Sequence, residues 1–320
     1  MTPIRRLGRW AAGLGALAAL GAVAAAPVAT PPGHCAEWSR RLPNLSRALC
    51  EQSALEAPGA TSVKGVPLYQ RDVRAPVAEA VRPETLQAMR QDMRQDMRQD
   101  MPPLIDRPEK AAQPAKPKRR VLVIGGIHGD ELSSTSLVFH WIAQANETAA
   151  DMDWRFVPAL NPDGLLLARP TRVNAHGVDL NRNFPTPRWA QEAPAYWVKR
   201  TKKDPRRWPG PAPLSEPESR FIVDTIAQWK PDLIVTVHAP YGVLDYDGPS
   251  VPPQRLGRLY LDRVGIFPGS LGHYGGVHKG VPVVTIELPS AIRTPNDAEM
   301  RQMWIDLLRW VGERLALGER

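Results

Sequence analysis

Apolar and polar positions divide this chain into a strongly patterned region from about Arg119 onward and a less regular region before it. Val121-Leu122-Val123-Ile124-Gly125-Gly126-Ile127 is short, apolar and β-branched and then breaks at glycine, the pattern of an interior strand emptying into a loop. Leu233-Ile234-Val235-Thr236-Val237-His238 repeats it, and Asp153 to Leu160 and Val281 to Leu288 read as two further strands. Between them, apolar residues recur at helical spacing. Leu132, Leu137, Val138, Trp141 and Ile142 mark a helix from about Glu131 to Gln144, and Phe221, Ile222 and Ile226 mark one over Glu216 to Trp229. Met300, Met303, Trp304, Leu307, Leu308, Trp310 and Val311 mark a terminal helix from about Asp297 to Ala316, while 161–190 carries turn signals and reads as loop. Strands alternating with helices predict an α/β fold, a mixed, largely parallel twisted sheet flanked by helices on both faces. Ligands on such a sheet gather at the C-terminal ends of the strands.

Ahead of that region, Trp38, Leu42, Leu45, Leu49 and Leu55 fall mostly three or four apart, which predicts a short helical arm interrupted at Pro43 and packed on the main domain. Thr61 to Val73 alternates around Lys64-Gly65 and predicts a hairpin at an edge of the main sheet. From about Arg74 to Lys118 prolines accumulate, together with the tandem tetrads Met89-Arg90-Gln91-Asp92, Met93-Arg94-Gln95-Asp96 and Met97-Arg98-Gln99-Asp100. This segment reads as a linker or low-complexity insertion, either a solvated helix or disordered. The organisation expected is therefore a leader over 1–26, an arm over 27–60, and a catalytic domain over 61–320 interrupted at about 74–118.

At 320 residues, 43% hydrophobic and 23% charged, the chain can bury a real core within one principal domain. Its net charge is +8, of which Arg5, Arg6 and Arg9 supply three with no acid in the first 26 residues to offset them. The remaining excess favours anionic surroundings without naming a partner, and no nucleic-acid module accompanies it. The basic start, the alanine-rich apolar run Trp10 to Gly21 and the small residues Ala24-Ala25-Ala26 predict a secretory signal peptide, hence a periplasmic or secreted protein with no stable membrane insertion after cleavage. In such a compartment Cys35 and Cys50 are free to pair, and closing that small loop adds about 3 kcal/mol in the chain-entropy account.

Candidate chemistry sits at the strand ends. His128 and Glu131 share a glycine-flanked turn after one strand and His238 ends another, so two imidazoles and a carboxylate form a catalytic zinc set, with the fourth tetrahedral position open. His140, His176 and His278 read as ordinary hydrogen-bonded loop residues. Glu287 lies in Val281-Pro282-Val283-Val284-Thr285-Ile286-Glu287-Leu288, a strand too apolar to hold a carboxylate without purpose, which makes it a general base beside a metal-activated water. The loop from Thr171 to Pro185 is polar, glycine-punctuated and centred on Arg172 and Arg182, residues suited to carboxylate capture and to developing oxyanion charge.

In order along the chain, His128 and Glu131, Arg172, Asn181-Arg182, His238 and Glu287 reproduce the pattern H-x-x-E, R, N-R, H and a late strand E. With these, the chain resembles the M14 family of zinc carboxypeptidases. Asn161-Pro162-Asp163-Gly164, Gly177 to Pro185, Ser215-Glu216-Pro217-Glu218 and Pro268-Gly269-Ser270 make it most similar to the bacterial murein peptide amidases within that family. The resemblance runs from about Thr61 to the C-terminus outside the linker and does not include the cysteine arm. It implies one zinc ion held by His128, Glu131 and His238, water activation by Glu287, and oxyanion stabilisation by Arg172. It further implies that Asn181 and Arg182 grip the substrate's terminal carboxylate and that Asp179 accepts from the distal nitrogen of His128. Digestive members carry a mobile Tyr upstream of the late Glu; Tyr274 or His273 are the residues here with that opportunity.

The expected activity is a zinc-dependent exopeptidase acting on the C-terminal amide bond of a small peptide with a free carboxylate. The favoured substrate is a murein peptide cut between γ-D-glutamate and meso-diaminopimelate, with Asp245 and Asp247 as candidates for the far ammonium group. Two alternatives stand beside it. One is a general metallocarboxypeptidase on protein-derived peptides, since the Asn-Arg pair argues against a deacylase of small amino acids. The other is a catalytically silent wall-binding module, which requires the loss of a ligand or of the base, and none is lost.

Overall fold

A six-stranded sheet organises the computed structural model, which describes residues 28–29, 33–75, 118–148 and 152–314. The predicted leader and the Met-Arg-Gln-Asp tetrads lie outside the described residues. The strands are β1 (Arg71–Val73), β2 (Arg119–Ile124), β3 (Met152–Val157), β4 (Leu233–His238), β5 (Val243–Asp247) and β6 (Val283–Glu287). Their spatial order is β1-β3-β2-β4-β6-β5. The four central strands run parallel, and β1 and β5 close the two edges antiparallel. The sheet is mixed and mostly parallel, as the alternation of patterns predicts.

Burial on both faces explains why the central strands read as continuous apolar runs. Val121 and Val123 point into one cluster with Leu137, Trp141 and Trp304, while Leu122 and Ile124 point into the other with Phe184 and Ile222. The same two-residue period sends Val235 and Val237 one way and Ile234 the other. The first face is covered by α3 (Leu132–Glu147) and α6 (Asp297–Arg314), reached after α1 (His34–Arg41) and α2 (Arg47–Gln52) of the arm. The second is covered by α5 (Pro217–Trp229) and a π-helical turn at Gly272–His278, while α4 (Trp189–Lys199) sets Tyr196 against Phe267 at 5.8 Å. Each large side chain buried here stabilises by about 1.5–3 kcal/mol relative to exposure.

The arm belongs to the first core. Cys35 and Cys50 are joined by a disulfide, and Trp38, Leu42, Leu45 and Leu55 are buried in the same cluster as Trp141. Trp38 meets Phe139 of α3 edge to face at 5.7 Å. Ser46 caps α2 by accepting the Leu49 N–H at 3.0 Å.

Three expectations change in detail. The strand predicted to reach Ile127 stops at Ile124, because Gly125 and Gly126 turn the chain, Gly126 with φ of 57°. The hairpin predicted at Thr61 to Val73 forms one bridge, Thr61 to Pro67, and only Arg71–Val73 joins the main sheet. The segment 161–190, predicted as loop, includes short helical turns at Pro162–Leu165 and Leu180–Arg182.

Candidate metal and substrate site

The turn after β2 delivers His128 by packing backbone on backbone. A Cβ at Gly129 would fall 2.4 Å from the carbonyl carbon of Gly164, so only glycine allows this approach. Asn161 pins the opposing segment: it accepts the Gly164 N–H at 2.9 Å and donates through Nδ2 to the Arg172 carbonyl at 3.0 Å. The short motif 161–164 therefore sets both His128 and Arg172. Glu287 reaches the site by sheet register, since β6 runs parallel to β4 with Glu287 opposite His238.

His128, Glu131 and His238 are all buried, and their donor atoms lie within 4.8 Å of one another. His128 Nδ1 is 2.7 Å from Glu131 Oε1, His238 Nδ1 is 3.1 Å from Glu131 Oε2, and the two Nδ1 atoms are 3.2 Å apart. Burial alone would raise the Glu131 carboxyl, but the two imidazoles override it and hold it well below the usual carboxylate range. Asp179, fully buried, lies 3.2 Å from His128 Nε2 and accepts from Arg172 Nε at 3.0 Å. That contact commits the distal ring nitrogen and leaves Nδ1 for a cation. Two Nδ1 atoms and a carboxylate converging in a buried pocket match zinc in donor type and number.

Glu287 is 8% exposed, and its Oε2 is buried with no hydrogen-bond partner. Burial pushes its carboxyl up, assisted by Glu131 and opposed by His238 and His128. A buried carboxylate oxygen without a partner is costly unless a reacting group meets it.

Arg182 is buried, its guanidinium 4.6 Å above the Phe267 ring and one NH1 bonded to the Asn181 carbonyl at 2.6 Å. Asn181 accepts the Leu271 N–H at 2.9 Å, which leaves its amide NH2 as the donor end. Gly269 lies directly on Arg182: a Cβ there would sit 2.0 Å from the Arg182 carbonyl oxygen. This contact accounts for the Pro268-Gly269-Ser270 motif. Ser215-Glu216-Pro217-Glu218 is scaffold, with Asn174 Nδ2 donating to Glu216 at 2.7 Å and to Glu218 at 3.2 Å.

One cavity of about 300 Å³ gathers these residues. His128, Glu131, Arg172, Asn181, Arg182, His238 and Glu287 all line it, and so do Asp245 and Asp247 of the edge strand. Asp247 is pushed up to about 6, first by burial and then by the neighbouring Asp245 charge. Tyr274 is elsewhere, buried against Phe184, and neither Tyr274 nor His273 is part of the lining. Asp130, Arg206, Arg207 and Tyr241 line the cavity without having been singled out from the sequence. Their signal is weak there, because the run Lys202 to Arg207 has the charge density of a solvated loop.

The profile of the zinc carboxypeptidase family matches residues 61–250. The chain belongs to the zinc carboxypeptidase family. It is accordingly a hydrolase of a zinc-dependent family. Among relatives, it is 31% identical over 177 residues to murein peptide amidase A of Vibrio campbellii, covering 53% of this chain and 69% of that protein. It is 29% identical over 204 residues to murein peptide amidase A of Escherichia coli K12, covering 62% of this chain and 82% of that protein. Among solved structures, bovine thrombin-activatable fibrinolysis inhibitor in complex with tick carboxypeptidase inhibitor superposes with a TM-score of 0.53 at 16% identity, covering 88% of this chain and 94% of that one. The last is a likeness of fold.

Proposed function

We propose that this chain is an exopeptidase that releases meso-diaminopimelate from a murein peptide by cutting its bond to γ-D-glutamate. The supporting observation is the content of one cavity: a metal donor set, a buried base, a guanidinium with no carboxylate in ion-pair contact among the described residues, and an aspartate pair. The similarity to murein peptide amidases over more than half the chain supports the same substrate class.

His128 Nδ1, Glu131 and His238 Nδ1 would hold zinc, which when bound supplies Lewis-acid polarisation of water and of the scissile carbonyl. Glu287 takes the proton of the attacking water through Oε2 and passes it to the departing amine as the amide C–N bond breaks. Burial raises its pKa, which makes it a stronger base than an exposed glutamate. Arg172, oriented by Asp179, faces the charge that develops on the carbonyl oxygen. Arg182 and the Asn181 NH2 take the terminal carboxylate, and Asp179 fixes the His128 ring. Asp245 and Asp247 take the ammonium group at the far end of diaminopimelate. An export leader over 1–26 and the Cys35–Cys50 disulfide favour a periplasmic or secreted enzyme.

The test incubates the zinc-loaded protein with a murein tripeptide and with a panel of α-linked peptides, and identifies products by mass. Diaminopimelate released from the tripeptide alone is the expected result. Release only from α-linked peptides makes the chain a general carboxypeptidase. No release from any of them leaves a silent binding module.

A further inference from the structure

We propose that Arg207 is a second carboxylate site of the cavity, separate from Arg182, that reads a carboxylate the substrate carries beyond its C-terminal one. The inference rests on the reading above and deepens it. Arginines crowd this cavity: Arg172, Arg182, Arg206 and Arg207 all line it. Two of them are already matched. Arg172 bonds Asp179 at 3.0 Å, and Arg206 bonds Asp130 at 2.7 Å. Among the described residues, the ion partner of Arg207 is Asp204, three residues earlier in the chain, at a loose 3.5 Å with both side chains more than a third exposed. Arg182 has no carboxylate in ion-pair contact among the described residues. Burial weakens its hold on its proton; Asp179 opposes this, and the charges of Arg172 and Arg207 add to it. Of the four guanidiniums, Arg182 and Arg207 are therefore the two that the protein leaves without a close carboxylate partner among the described residues.

Arg207 is also held in place by the same framework as the metal site. It ends the 3-10 turn Pro205–Arg207, whose start is fixed by Asp204 accepting the Arg206 N–H at 2.9 Å and by Trp197 Nε1 donating to the Asp204 carbonyl at 2.8 Å. On the other side, the carbonyl of Trp208 accepts the N–H of Asp179 at 2.8 Å. The backbone of Arg207 is thus one residue from a hydrogen bond to the acid that orients both His128 and Arg172. The backbone position of Arg207 is fixed in this way, while its guanidinium, held only loosely by Asp204, can present its planar donor fork to an anion in the cavity.

The substrate chemistry supplies the matching anion. An ordinary peptide brings its C-terminal carboxylate, which Arg182 accounts for. A γ-linked glutamate adds a free α-carboxylate next to the scissile bond, and diaminopimelate adds another at its far end. Either would enter a partly desolvated cavity, where an unpaired carboxylate weakens binding.

The experiment measures kcat/KM for the wild type, Arg207→Ala and Arg207→Lys on three substrates. These are γ-D-glutamyl-diaminopimelate peptide, the same peptide with D-isoglutamine, and the same peptide with lysine in place of diaminopimelate. The wild type is expected to prefer the parent over one analogue by about tenfold, as expected for a lost charge-assisted contact worth ~1.4 kcal/mol. Arg207→Ala brings that ratio to about one, and Arg207→Lys restores part of it. Collapse of the isoglutamine ratio assigns Arg207 to the glutamate α-carboxylate, and collapse of the lysine ratio assigns it to the far carboxylate. If Arg207→Ala discriminates both analogues as strongly as the wild type, the second site does not exist. Should the wild type cut only α-linked peptides, the murein reading falls. The carboxylate site is then judged on penultimate Glu against Gln, where an unchanged ratio in Arg207→Ala overturns it.

Discussion

Glu287 and Asp247 are both buried carboxyls with raised pKa values, and their surroundings give them opposite tasks. Glu287 presents an unpartnered oxygen beside the candidate metal donors, and in the proposed mechanism it exchanges protons. Glu287→Gln keeps the shape and removes the basicity; kcat should fall by about 10²–10⁴-fold with zinc content unchanged by metal analysis. Loss of zinc together with activity would make Glu287 a ligand instead. Asp247 must be charged to hold an ammonium group, and it lies at about 6 where the ordinary value is 3.8. Between about pH 4 and 6 the folded protein keeps a proton that the unfolded chain has released. Stability therefore falls as pH rises through that window and stays lower above it. A shift of this size is at most about 3 kcal/mol, and partial solvation reduces it to about 1–2 kcal/mol. Asp247→Asn should accordingly raise Tm at pH 7 and leave it unchanged near pH 4. In the wild type, KM for the diaminopimelate peptide should climb as pH drops below about 6; in Asp247→Asn it should be high throughout. A KM independent of pH in the wild type would remove Asp247 from substrate recognition.

At the scale of elements, register and tethering decide what the residues can do. The pairing of β6 with β4 brings Glu287 beside His238; the apolar runs show in the sequence that both strands are interior, but the register that joins them does not show there. The metal donors and Arg182 were legible for a similar reason, as polar residues at the ends of such runs or in a glycine-punctuated loop. Asp245 and Asp247 were visible only as acids near His238, since Val243-Leu244-Asp245-Tyr246-Asp247 alternates too briefly to announce an antiparallel edge strand. Arg206 and Arg207 were invisible, because the bond that pins them runs from Trp208 to Asp179, across a loop the sequence does not register. Within the arm, the Cys35–Cys50 bridge joins α1 to α2 and closes a loop with a sequence separation of 15. Replacing both cysteines by serine should cost about 3 kcal/mol in denaturant titration while zinc affinity holds, since the arm carries none of the donors. Loss of zinc binding in that variant would show the arm to support the site directly.

For the whole molecule, the candidate metal site would be a crosslink at the centre of the sheet. His128 and His238 are 110 residues apart in sequence, yet their Nδ1 atoms approach to 3.2 Å across the turn after β2 and the end of β4. Without a cation this meeting has a cost, because two imidazoles and a carboxylate share one small buried space and at most one of the facing nitrogens can donate to the other. A zinc ion bound by all three stabilises only the folded arrangement, by RT ln(1 + [Zn]/Kd), or about 4 kcal/mol at a thousandfold excess over Kd. In a domain of this size that corresponds to a Tm change of roughly 8–16 °C. Dialysis against a chelator should therefore abolish hydrolysis and lower Tm by that order, and added zinc should restore both. His238→Ala separates the two consequences of the crosslink: its Tm should no longer respond to chelator, while its far-UV circular dichroism matches the wild type. A wild-type Tm and turnover indifferent to chelation would exclude a metal centre at these three residues.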